Sequence, residues 1–195
     1  MPNLYIVAGC NGAGKTTASF TILPEMLSCR EFVNADSIAA GLSPFNPESV
    51  AIEAARLMLS RIQELLESRW DFAFETTLAT RSYVSLVKEA QEAGYKVTLL
   101  FMWLDSPATA VRRVAGRVAK GGHSIPVDVI ERRYFRGIIN LVNLYIPICN
   151  RWMIVDNETV TPKPIAEGGL DIDNIIFNEY IWGVINEQAK RNGIK

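Results

Sequence analysis

The stretch GCNGAGKTT, residues 9–17, combines residue types that bind phosphate groups. It matches the spacing G-x-x-x-x-G-K-S/T and stands between an apolar run and a segment of helical period. Glycines let backbone N–H groups turn toward phosphate oxygens, Lys15 neutralises phosphate charge, and the Thr16 hydroxyl can ligate a metal ion. We therefore predict ATP and Mg²⁺ as cofactors, with Thr16 as the metal ligand. The residues predicted to bind the nucleotide here are Gly9, Asn11, Gly12, Ala13, Gly14, Lys15, Thr16 and Thr17.

Two acidic residues follow other apolar runs of the chain. Asp36 comes directly after EFVNA, and Glu75 ends DFAFE. Because the carboxyl ends of parallel strands meet at one edge of a sheet, both acids are expected near the γ-phosphate. Asp36 suits the general base that accepts a proton from a substrate hydroxyl, and Glu75 could hold the substrate or a magnesium-bound water, with Thr76 and Thr77 behind it. The alternative for each acid is a local cap: of the turn that follows Asp36, or of a helix that follows Glu75.

A basic segment, residues 112–136, is the other feature with chemical potential. It contains five more basic than acidic residues in a chain whose net charge is −1. Two adjacent glycines at 121 and 122 can act as a hinge, so we predict a lid that closes over the triphosphate and supplies Arg117 and Arg133 to the developing charge. The alternative for each arginine is a solvated helix face, favoured for Arg112 and Arg136. His123, beside the hinge, is interpreted either as a substrate contact or as a turn cap.

The elements that must position these residues alternate between strand-length apolar runs and segments of helical period, which predicts an α/β/α three-layer fold. The expected strands cover residues 4–8, 31–35, 71–75, 96–104 and 152–155. The expected helices follow the phosphate loop and then cover 46–69, 81–93, 106–119, 127–148 and 172–191. Asp105 is interpreted as a helix cap before Pro107, and TPKPIAEGG at 161–169 as a surface loop. We expect residues 1–195 to form a single domain.

Composition excludes several classes of protein. The chain has 195 residues, balanced charge, one histidine and three scattered cysteines, so it offers neither a disulfide framework nor a zinc site. Its longest apolar runs are far shorter than the roughly 20 residues that span a bilayer. Apart from Tyr134 and Phe135, the basic segment has no interleaved aromatic residues of the kind that bind RNA. We therefore expect a cytoplasmic protein that contacts neither membrane nor nucleic acid.

Taken together, several segments resemble the zeta toxin family, in particular its compact zeta-like P-loop kinases, which are often labelled predicted ABC-type ATPases. These segments are GCNGAGKTT, VNADSIAAGLSP, FAFETTL, RRVAGRVAKGGHSIP, ERRYFRGIINL and WMIVDNET. The resemblance implies a P-loop NTPase fold of nucleotide-kinase type with a five-stranded parallel sheet and a helical lid. It also implies ATP- and magnesium-dependent phosphorylation of a sugar hydroxyl of UDP-N-acetylglucosamine, and an antitoxin protein as partner.

The resemblance also implies roles for individual residues. Lys15 corresponds to the phosphate-loop lysine and Asp36 to the acid that deprotonates the sugar hydroxyl. The residues that correspond to the family's substrate contacts are Glu75, Thr77 and Arg81, although here E-T-T-L-A-T-R stands in place of the longer toxins' E-G-T-x-R. The lid arginines that touch the γ-phosphate correspond to Arg117 and to Arg133 or its neighbour Arg132, and Asn157 is expected near the adenine.

Three functions are therefore open at the level of sequence. The first is a kinase of UDP-N-acetylglucosamine or a related amino sugar nucleotide, possibly the toxin of a toxin–antitoxin pair. The second is a P-loop kinase of another small hydroxyl compound. The third is a non-kinase nucleotide binder, either an ATPase coupled to a partner or a regulatory module. A small-molecule phosphate acceptor is required by the first two and by neither reading of the third.

Overall fold

A computed structural model describes residues 1–122, 124–159 and 161–191 of the chain, without the side chain of residue 191. Within these residues seven strands form one sheet. Their bounds are Asn3–Gly9 (β1), Glu31–Val33 (β2), Phe72–Thr76 (β3), Lys96–Trp103 (β4), Arg151–Asp156 (β5), Lys163–Gly169 (β6) and Ile172–Ile176 (β7). The spatial order is β2-β3-β1-β4-β5-β6-β7.

The first five strands in this order are parallel, and they coincide with the five apolar runs of the sequence. Their side chains are apolar on both faces because helices cover both sides of the sheet, which is why the runs are nearly continuous rather than alternating. Leu4, Ile6 and Phe74 pack in the larger core cluster, whereas Val7 and Ala73 point to the opposite face and a smaller cluster. The predicted α/β fold class and its parallel strands are confirmed.

The sheet has seven strands in the described residues, two more than predicted. The segment interpreted as a surface loop contains β6, which pairs antiparallel with β5, and β7 then pairs antiparallel with β6. The predicted helix over 172–191 is therefore wrong at its start, since it begins only after β7. A register shift in the β5–β6 ladder falls where Pro164 pairs with Val155, which is how a strand accommodates a residue without an N–H group.

Seven α-helices occur in the described part of the chain, six of them between strands and the seventh after the last strand. Their bounds are Lys15–Thr21 (α1), Ala35–Leu42 (α2), Ala51–Glu67 (α3), Tyr83–Glu92 (α4), Pro107–Val118 (α5), Val127–Asn140 (α6) and Glu179–Arg191 (α7). Short irregular segments adjoin them: π-helical turns at Ile22–Met26 and Leu141–Tyr145, and a 3-10 turn at Pro47–Val50. None of the helices in the described ranges is long and apolar enough to cross a membrane.

Three local predictions about the helices need correction. Residues 35–42 form α2, where the sequence suggested a turn. The side chain of Asn46 caps no helix, and a 3-10 turn separates it from α3. At α5 the cap is Ser106, whose Oγ accepts a hydrogen bond from the Thr109 N–H at 3.2 Å, so Asp105 is not the cap.

All three cysteines are buried, and this makes them unreactive. Burial raises the pKa of the Cys10 and Cys29 thiols to about 11 and that of Cys149 to about 12. Since the thiolate is the reactive form, we expect iodoacetamide at pH 7.5 to leave all three unmodified in the native protein and to label all three in guanidinium chloride. Mass spectrometry of the intact chain checks this. Rapid native labelling of any one cysteine would contradict its burial.

Candidate active site

The phosphate loop connects the carboxyl end of β1 to α1. Gly14 adopts a left-handed conformation (φ +84°) directly before α1, and Gly9 has φ +144°. A Cβ at Gly9 would lie 2.5 Å from the Met102 carbonyl oxygen on β4, so only glycine fits there. The two glycines of the motif are thus needed for the turn itself.

Lys15 is buried at the start of α1 and points back into the loop. Its Nζ donates a hydrogen bond to the Cys10 carbonyl oxygen at 3.0 Å and lies 3.5 Å from Oε1 of Glu75. Both charged side chains are almost completely buried, at 7% and 11% exposure. A buried pair of this kind holds each charged group in one position, because neither can turn to solvent without losing its partner.

Glu75, at the end of β3, joins three elements. Its Oε2 accepts hydrogen bonds from the Thr16 hydroxyl at 2.7 Å and from Asn34 Nδ2 at 2.8 Å. β3 lies beside β1, so the carboxylate reaches the metal-ligand position of the phosphate loop. Glu75 belongs to a strand and precedes α4 by several residues, which argues against the alternative that it caps a helix.

Asn34 is a site residue that sequence reasoning missed. Its Oδ1 accepts hydrogen bonds from the backbone N–H groups of Asp36 at 2.8 Å and Ser37 at 3.2 Å, so it is the N-cap of α2. The same side chain donates to Glu75 through Nδ2. The signal was available, because an asparagine two residues before an acid is a common helix start.

Asp36 lies in the first turn of α2 and is exposed to the cavity. Asn34 provides the cap, so the alternative in which Asp36 caps the turn is wrong. None of the described residues forms a hydrogen bond with its carboxylate, whereas its backbone N–H is held by Asn34. The carboxylate is therefore positioned by its backbone and available to a ligand.

Thr77 lines the cavity, and Arg81 does not. The hydroxyl of Thr76 accepts a hydrogen bond from the Leu78 N–H at 3.1 Å, which turns the chain after β3. The Thr77 carbonyl oxygen lies against Gly137 of α6, where a Cβ would approach it to 2.6 Å. Arg81 is exposed just before α4, outside the set of residues that line the cavity. The structure thus separates the predicted substrate contacts.

The basic segment contributes cations from two helices. Arg113 and Arg117, one turn apart on α5, line the cavity together with Arg133 of α6 and Lys120 from the connection between them. Arg133 Nη1 donates to Asn11 Oδ1 at 3.2 Å. The remaining arginines of the segment, which do not line the cavity, are Arg112, Arg132 and Arg136. Of the neighbouring pair 132 and 133, it is therefore Arg133 that faces the phosphate loop. His123 lies outside the described residues.

Arg113 is a second residue that sequence reasoning passed over. Its Nη2 donates to the Glu158 carbonyl oxygen at 2.8 Å and its Nη1 to the Gly12 carbonyl oxygen at 3.5 Å, so it ties the loop after β5 to the phosphate loop. The side chain of Glu158 also hydrogen-bonds that of Asp105, which raises the pKa of Glu158. The i, i+4 spacing from Arg117 could have identified Arg113 as a cavity residue.

Asn157 contacts the phosphate loop directly. Its Nδ2 donates to the Ala13 carbonyl oxygen at 2.6 Å, and a Cβ at Gly14 would meet the same atom at 2.6 Å. It is not among the residues that line the cavity. Of the remaining loop residues, Asn11, Gly12, Thr16 and Thr17 line the cavity, while Ala13 is buried beneath it.

These residues surround an open cavity of about 1290 Å³. One side is formed by the phosphate loop and the four cations, and the other extends between α3 and α4. Asp36 lies on its wall and also borders a smaller cavity of about 230 Å³ beside α2 and the start of α6. The large cavity exceeds the roughly 300–1,000 Å³ of typical small-molecule sites, so it can hold such a ligand with space beside it, whereas the smaller cavity lies below that range.

The oxygen atoms beside the phosphate loop fit a magnesium ion. The Thr16 hydroxyl and the Glu75 carboxylate are 2.7 Å apart, and both are the hard oxygen donors that Mg²⁺ prefers. No group of three or more His, Cys, Asp or Glu side chains that could hold a metal occurs in the described residues. This agrees with a site in which one carboxylate and one hydroxyl share the ion with substrate phosphates.

Comparison with known proteins identifies relatives of the chain. The family model described as zeta toxin matches residues 1–158. The chain belongs to the zeta toxin family. An "Uncharacterized protein" of Haemophilus influenzae strain Rd is 30% identical over 127 residues, which cover 65% of this chain and 88% of that protein.

Solved structures agree with this assignment at the level of the fold. Crystal structures of the AvrRxo1-ORF1:AvrRxo1-ORF2 complex with sulphate ions and with ATP superpose with TM-scores of 0.77 and 0.75, at 18% and 17% identity, and each comparison covers 95% of this chain. The PezAT toxin–antitoxin system of Streptococcus pneumoniae superposes with a TM-score of 0.59 at 18% identity, covering 83% of this chain and 72% of that chain. The chain spans 63% of the length of the AvrRxo1 chain.

Membership of the zeta toxin family confirms the resemblance predicted from the sequence motifs, and the superposed structures confirm the predicted fold class. The additional β6–β7 hairpin lies beyond residue 158, so it falls outside the part that the family model matches. The site described above lies entirely within the matched part.

The role of Glu75 in this zeta toxin family member can be tested through its magnesium requirement. We expect Glu75→Gln to lower turnover about 100-fold and to raise the Mg²⁺ concentration needed for half-maximal activity, because the amide keeps the shape but loses the charge beside Thr16. The measurement is ADP release at fixed ATP and varied free Mg²⁺. Thr77→Val, a change to a neighbouring cavity residue, is the control and should leave the Mg²⁺ requirement unchanged. An unaltered requirement in Glu75→Gln would assign this carboxylate to the acceptor instead.

Proposed function

We propose that the chain is an ATP-dependent kinase that transfers the γ-phosphoryl group to a hydroxyl group of a small acceptor. One observation carries the proposal. Lys15, Thr16 and Glu75 are joined by an ion pair and a hydrogen bond beside the phosphate loop, and Asn34 connects this group to the turn that bears Asp36. Groups suited to bind phosphate and a group suited to accept a proton therefore share one cavity.

The proposed reaction divides its tasks among these residues. Lys15 and the backbone N–H groups of the loop bind the phosphates, and Arg117 of α5 and Arg133 of α6, on the same side of the cavity, approach the transferred group. Asp36 accepts the proton of the acceptor hydroxyl while the oxygen forms its bond to the γ-phosphorus and ADP leaves with the electrons of the broken P–O bond. Magnesium, held by Thr16 and Glu75, would neutralise charge on the phosphates.

The proposed lid is the segment from α5 to α6, residues 112–136. It carries Arg113, Arg117, Lys120 and Arg133 on one side of the cavity, and Gly121 in its connection has a left-handed backbone (φ +90°). A Cβ at Gly122 would approach Arg117 Cγ to 2.7 Å, so this glycine lets the connection pass close to the arginine. Movement of this segment toward the phosphate loop would bring the cations onto the triphosphate.

The acceptor implied by the family resemblance is UDP-N-acetylglucosamine or a related amino sugar nucleotide, and with it comes an antitoxin protein as partner. The PezAT toxin–antitoxin system of Streptococcus pneumoniae shares the fold, which supports proposing such a partner for this chain. A second candidate, a kinase of a different small hydroxyl compound, is favoured by the position of Arg81 outside the cavity. A partner-coupled ATPase would hydrolyse ATP without any acceptor.

The proposal is tested by incubating the purified chain with ATP and magnesium, with and without UDP-N-acetylglucosamine, and searching by mass spectrometry for a product heavier by one phosphate. Lys15→Ala serves as the inactive control. A phosphorylated sugar nucleotide made only by the wild type supports the first candidate. ADP release that depends on a different added hydroxyl compound supports the second, and ADP release that no acceptor stimulates contradicts the kinase.

A further inference from the structure

The loop between β3 and α4, residues 77–82, contains a residue in an unfavourable backbone conformation. Leu78 has a left-handed backbone (φ +54°), which is rare for a bulky residue, and its side chain is completely buried. Such conformations persist only where the surrounding structure holds them, and they occur often at binding sites. The contacts that hold this loop therefore bear on what the loop does.

The loop borders the cavity with hydroxyl groups. We call Thr76, Thr77, Thr80 and Ser82, which all line the cavity, the hydroxyl row. The hydroxyls of Thr80 and Ser82 lie 2.8 Å apart. Because hydroxyl groups both donate and accept hydrogen bonds, the row suits a ligand that carries hydroxyl or amide groups. It begins directly after Glu75, so it adjoins the phosphate side of the cavity.

Two buried side chains hold the backbone of this loop. Asn140 Nδ2 donates to the Leu78 carbonyl oxygen at 2.6 Å and to the Thr80 carbonyl oxygen at 3.4 Å. The Tyr145 hydroxyl donates to the same Thr80 oxygen at 3.2 Å. Burial raises the pKa of Tyr145, so the hydroxyl keeps the proton that it donates. All three bonds go to backbone oxygens, so they fix the course of the loop without using the side chains that border the cavity.

A π-helical turn places both donors on the same side of their segment. Asn140 is the last residue of α6, and Tyr145 is the last residue of the π turn that follows it. Within this turn the Ile146 N–H donates to the Leu141 carbonyl oxygen at 2.9 Å. Residues five apart face nearly the same direction in a π turn, whereas they diverge in an α-helix. Such turns are frequent at functional sites.

The same side of α6 also reaches the phosphate loop. Arg133, Gly137 and Asn140 are spaced by four and three residues, so they form one row along the helix. Arg133 Nη1 donates to Asn11 Oδ1 of the phosphate loop at 3.2 Å. Gly137 passes against the Thr77 carbonyl oxygen, where a Cβ would approach to 2.6 Å. One row of α6 thus contacts both the phosphate loop and the loop after β3.

Given the proposed kinase function, we propose that Asn140 and Tyr145 are positioning residues for the phosphate acceptor. They hold residues 77–82 so that the hydroxyl row binds the acceptor with its reacting hydroxyl at Asp36. Neither residue lines the cavity, so both act through the loop. Since Arg133 belongs to the same row of α6 as Asn140, this helix also keeps the acceptor aligned with the transferred phosphoryl group.

Hydrogen exchange of the full chain tests whether these side chains hold the loop. We expect the amides of residues 77–82 to exchange about tenfold faster or more in Asn140→Ala, and by a smaller factor in Tyr145→Phe, while residues 9–17 are unchanged. Asn143→Ala is the matched control, because Asn143 is exposed on the same π turn and donates to the Ile139 carbonyl oxygen of its own helix at 2.9 Å. Wild-type exchange of residues 77–82 in both Asn140→Ala and Tyr145→Phe overturns the inference.

The partition of the phosphoryl group separates a positioning role from a structural one. With UDP-N-acetylglucosamine as the acceptor, the γ-phosphoryl group of ATP is transferred either to the sugar nucleotide or to water, and both products are measured. We expect Asn140→Ala to lower transfer to the sugar nucleotide about tenfold or more, with hydrolysis within about twofold of the wild type and an unchanged KM for ATP. A variant that is only destabilised loses both reactions equally, so the ratio of the two products decides.

The outcomes distinguish this inference from the proposed function. A wild-type ratio of the two products in both Asn140→Ala and Tyr145→Phe overturns the positioning role. If the wild type itself phosphorylates no sugar nucleotide, the proposed acceptor is wrong, and the exchange measurement then decides whether Asn140 and Tyr145 hold the loop. Tyr145→Phe keeps the buried ring and removes one hydroxyl, so the test remains decisive if Asn140→Ala fails to fold.

Discussion

Replacing Lys15 with alanine is expected to lower turnover by about 10³-fold or more, because a charge aimed at the transferred phosphoryl group is lost from a buried site. Lys15 is almost completely buried, and Lys120, the other lysine among the described residues that line the cavity, comes from the connection after α5 and not from the phosphate loop. The fold should persist, because Glu75 keeps its hydrogen bonds to Thr16 and Asn34 when its ion pair is removed. The measurement is ADP release at saturating acceptor, together with a melting curve.

The control for this variant is Lys190→Ala. Lys190 is an exposed lysine on α7 and does not line the cavity, so its removal changes the net charge equally without touching the phosphate loop. Wild-type turnover is expected. Turnover of Lys15→Ala within tenfold of the wild type would mean that this loop does not bind the reacting phosphates.

The second large effect is expected from Asp36→Asn, which should reduce turnover about 100-fold or more while ATP affinity stays unchanged. The amide has the size of the carboxylate but cannot accept the hydroxyl proton. Because Asn34 holds the Asp36 backbone N–H rather than its side chain, the start of α2 is preserved in the variant. ATP affinity is measured by calorimetric titration, and turnover by acceptor-dependent ADP release.

Asp171→Asn provides the comparison for charge alone. Asp171 is exposed in the turn between β6 and β7, away from the cavity-lining residues. It should retain full turnover. If Asp36→Asn does so as well, Asp36 is not the proton acceptor, and a fall in ATP affinity would instead assign Asp36 to nucleotide binding.

The five parallel strands could be predicted because burial on both faces leaves an unmistakable apolar run. β6 could not, since KPIAEGG contains a proline and two glycines that normally indicate a loop. In the structure the proline sits at a register shift, and a Cβ at Gly168 would approach the Trp152 ring to 2.8 Å. Proline and glycine therefore occur here in a strand whose backbone passes close to an indole ring. This requirement comes from tertiary packing, which a local sequence pattern does not show.

The part of the site that follows from the phosphate-loop motif and from the ends of the strands could be predicted from the sequence. Lys15, Thr16 and Glu75 meet because β1 and β3 are neighbours in the sheet. Asn34 and Arg113 were not predicted, because each acts through a hydrogen bond to a distant segment. Asn34 bonds to Glu75, and Arg113 bonds to Gly12. Which arginines of residues 112–136 face the cavity also depended on how α5 and α6 are rotated, which a charge count does not give.

The division of the cavity between separate elements has a consequence for how such an enzyme can diversify. The groups proposed for phosphoryl transfer belong to the phosphate loop, to the ends of β2 and β3, and to α5 and α6, whereas the part of the cavity between α3 and α4 is lined by other side chains of these two helices. Substitutions along one face of each of these helices can therefore change which acceptor binds, while the reactive groups keep their positions. Related enzymes with this arrangement can acquire new substrates through substitutions that leave phosphoryl transfer intact.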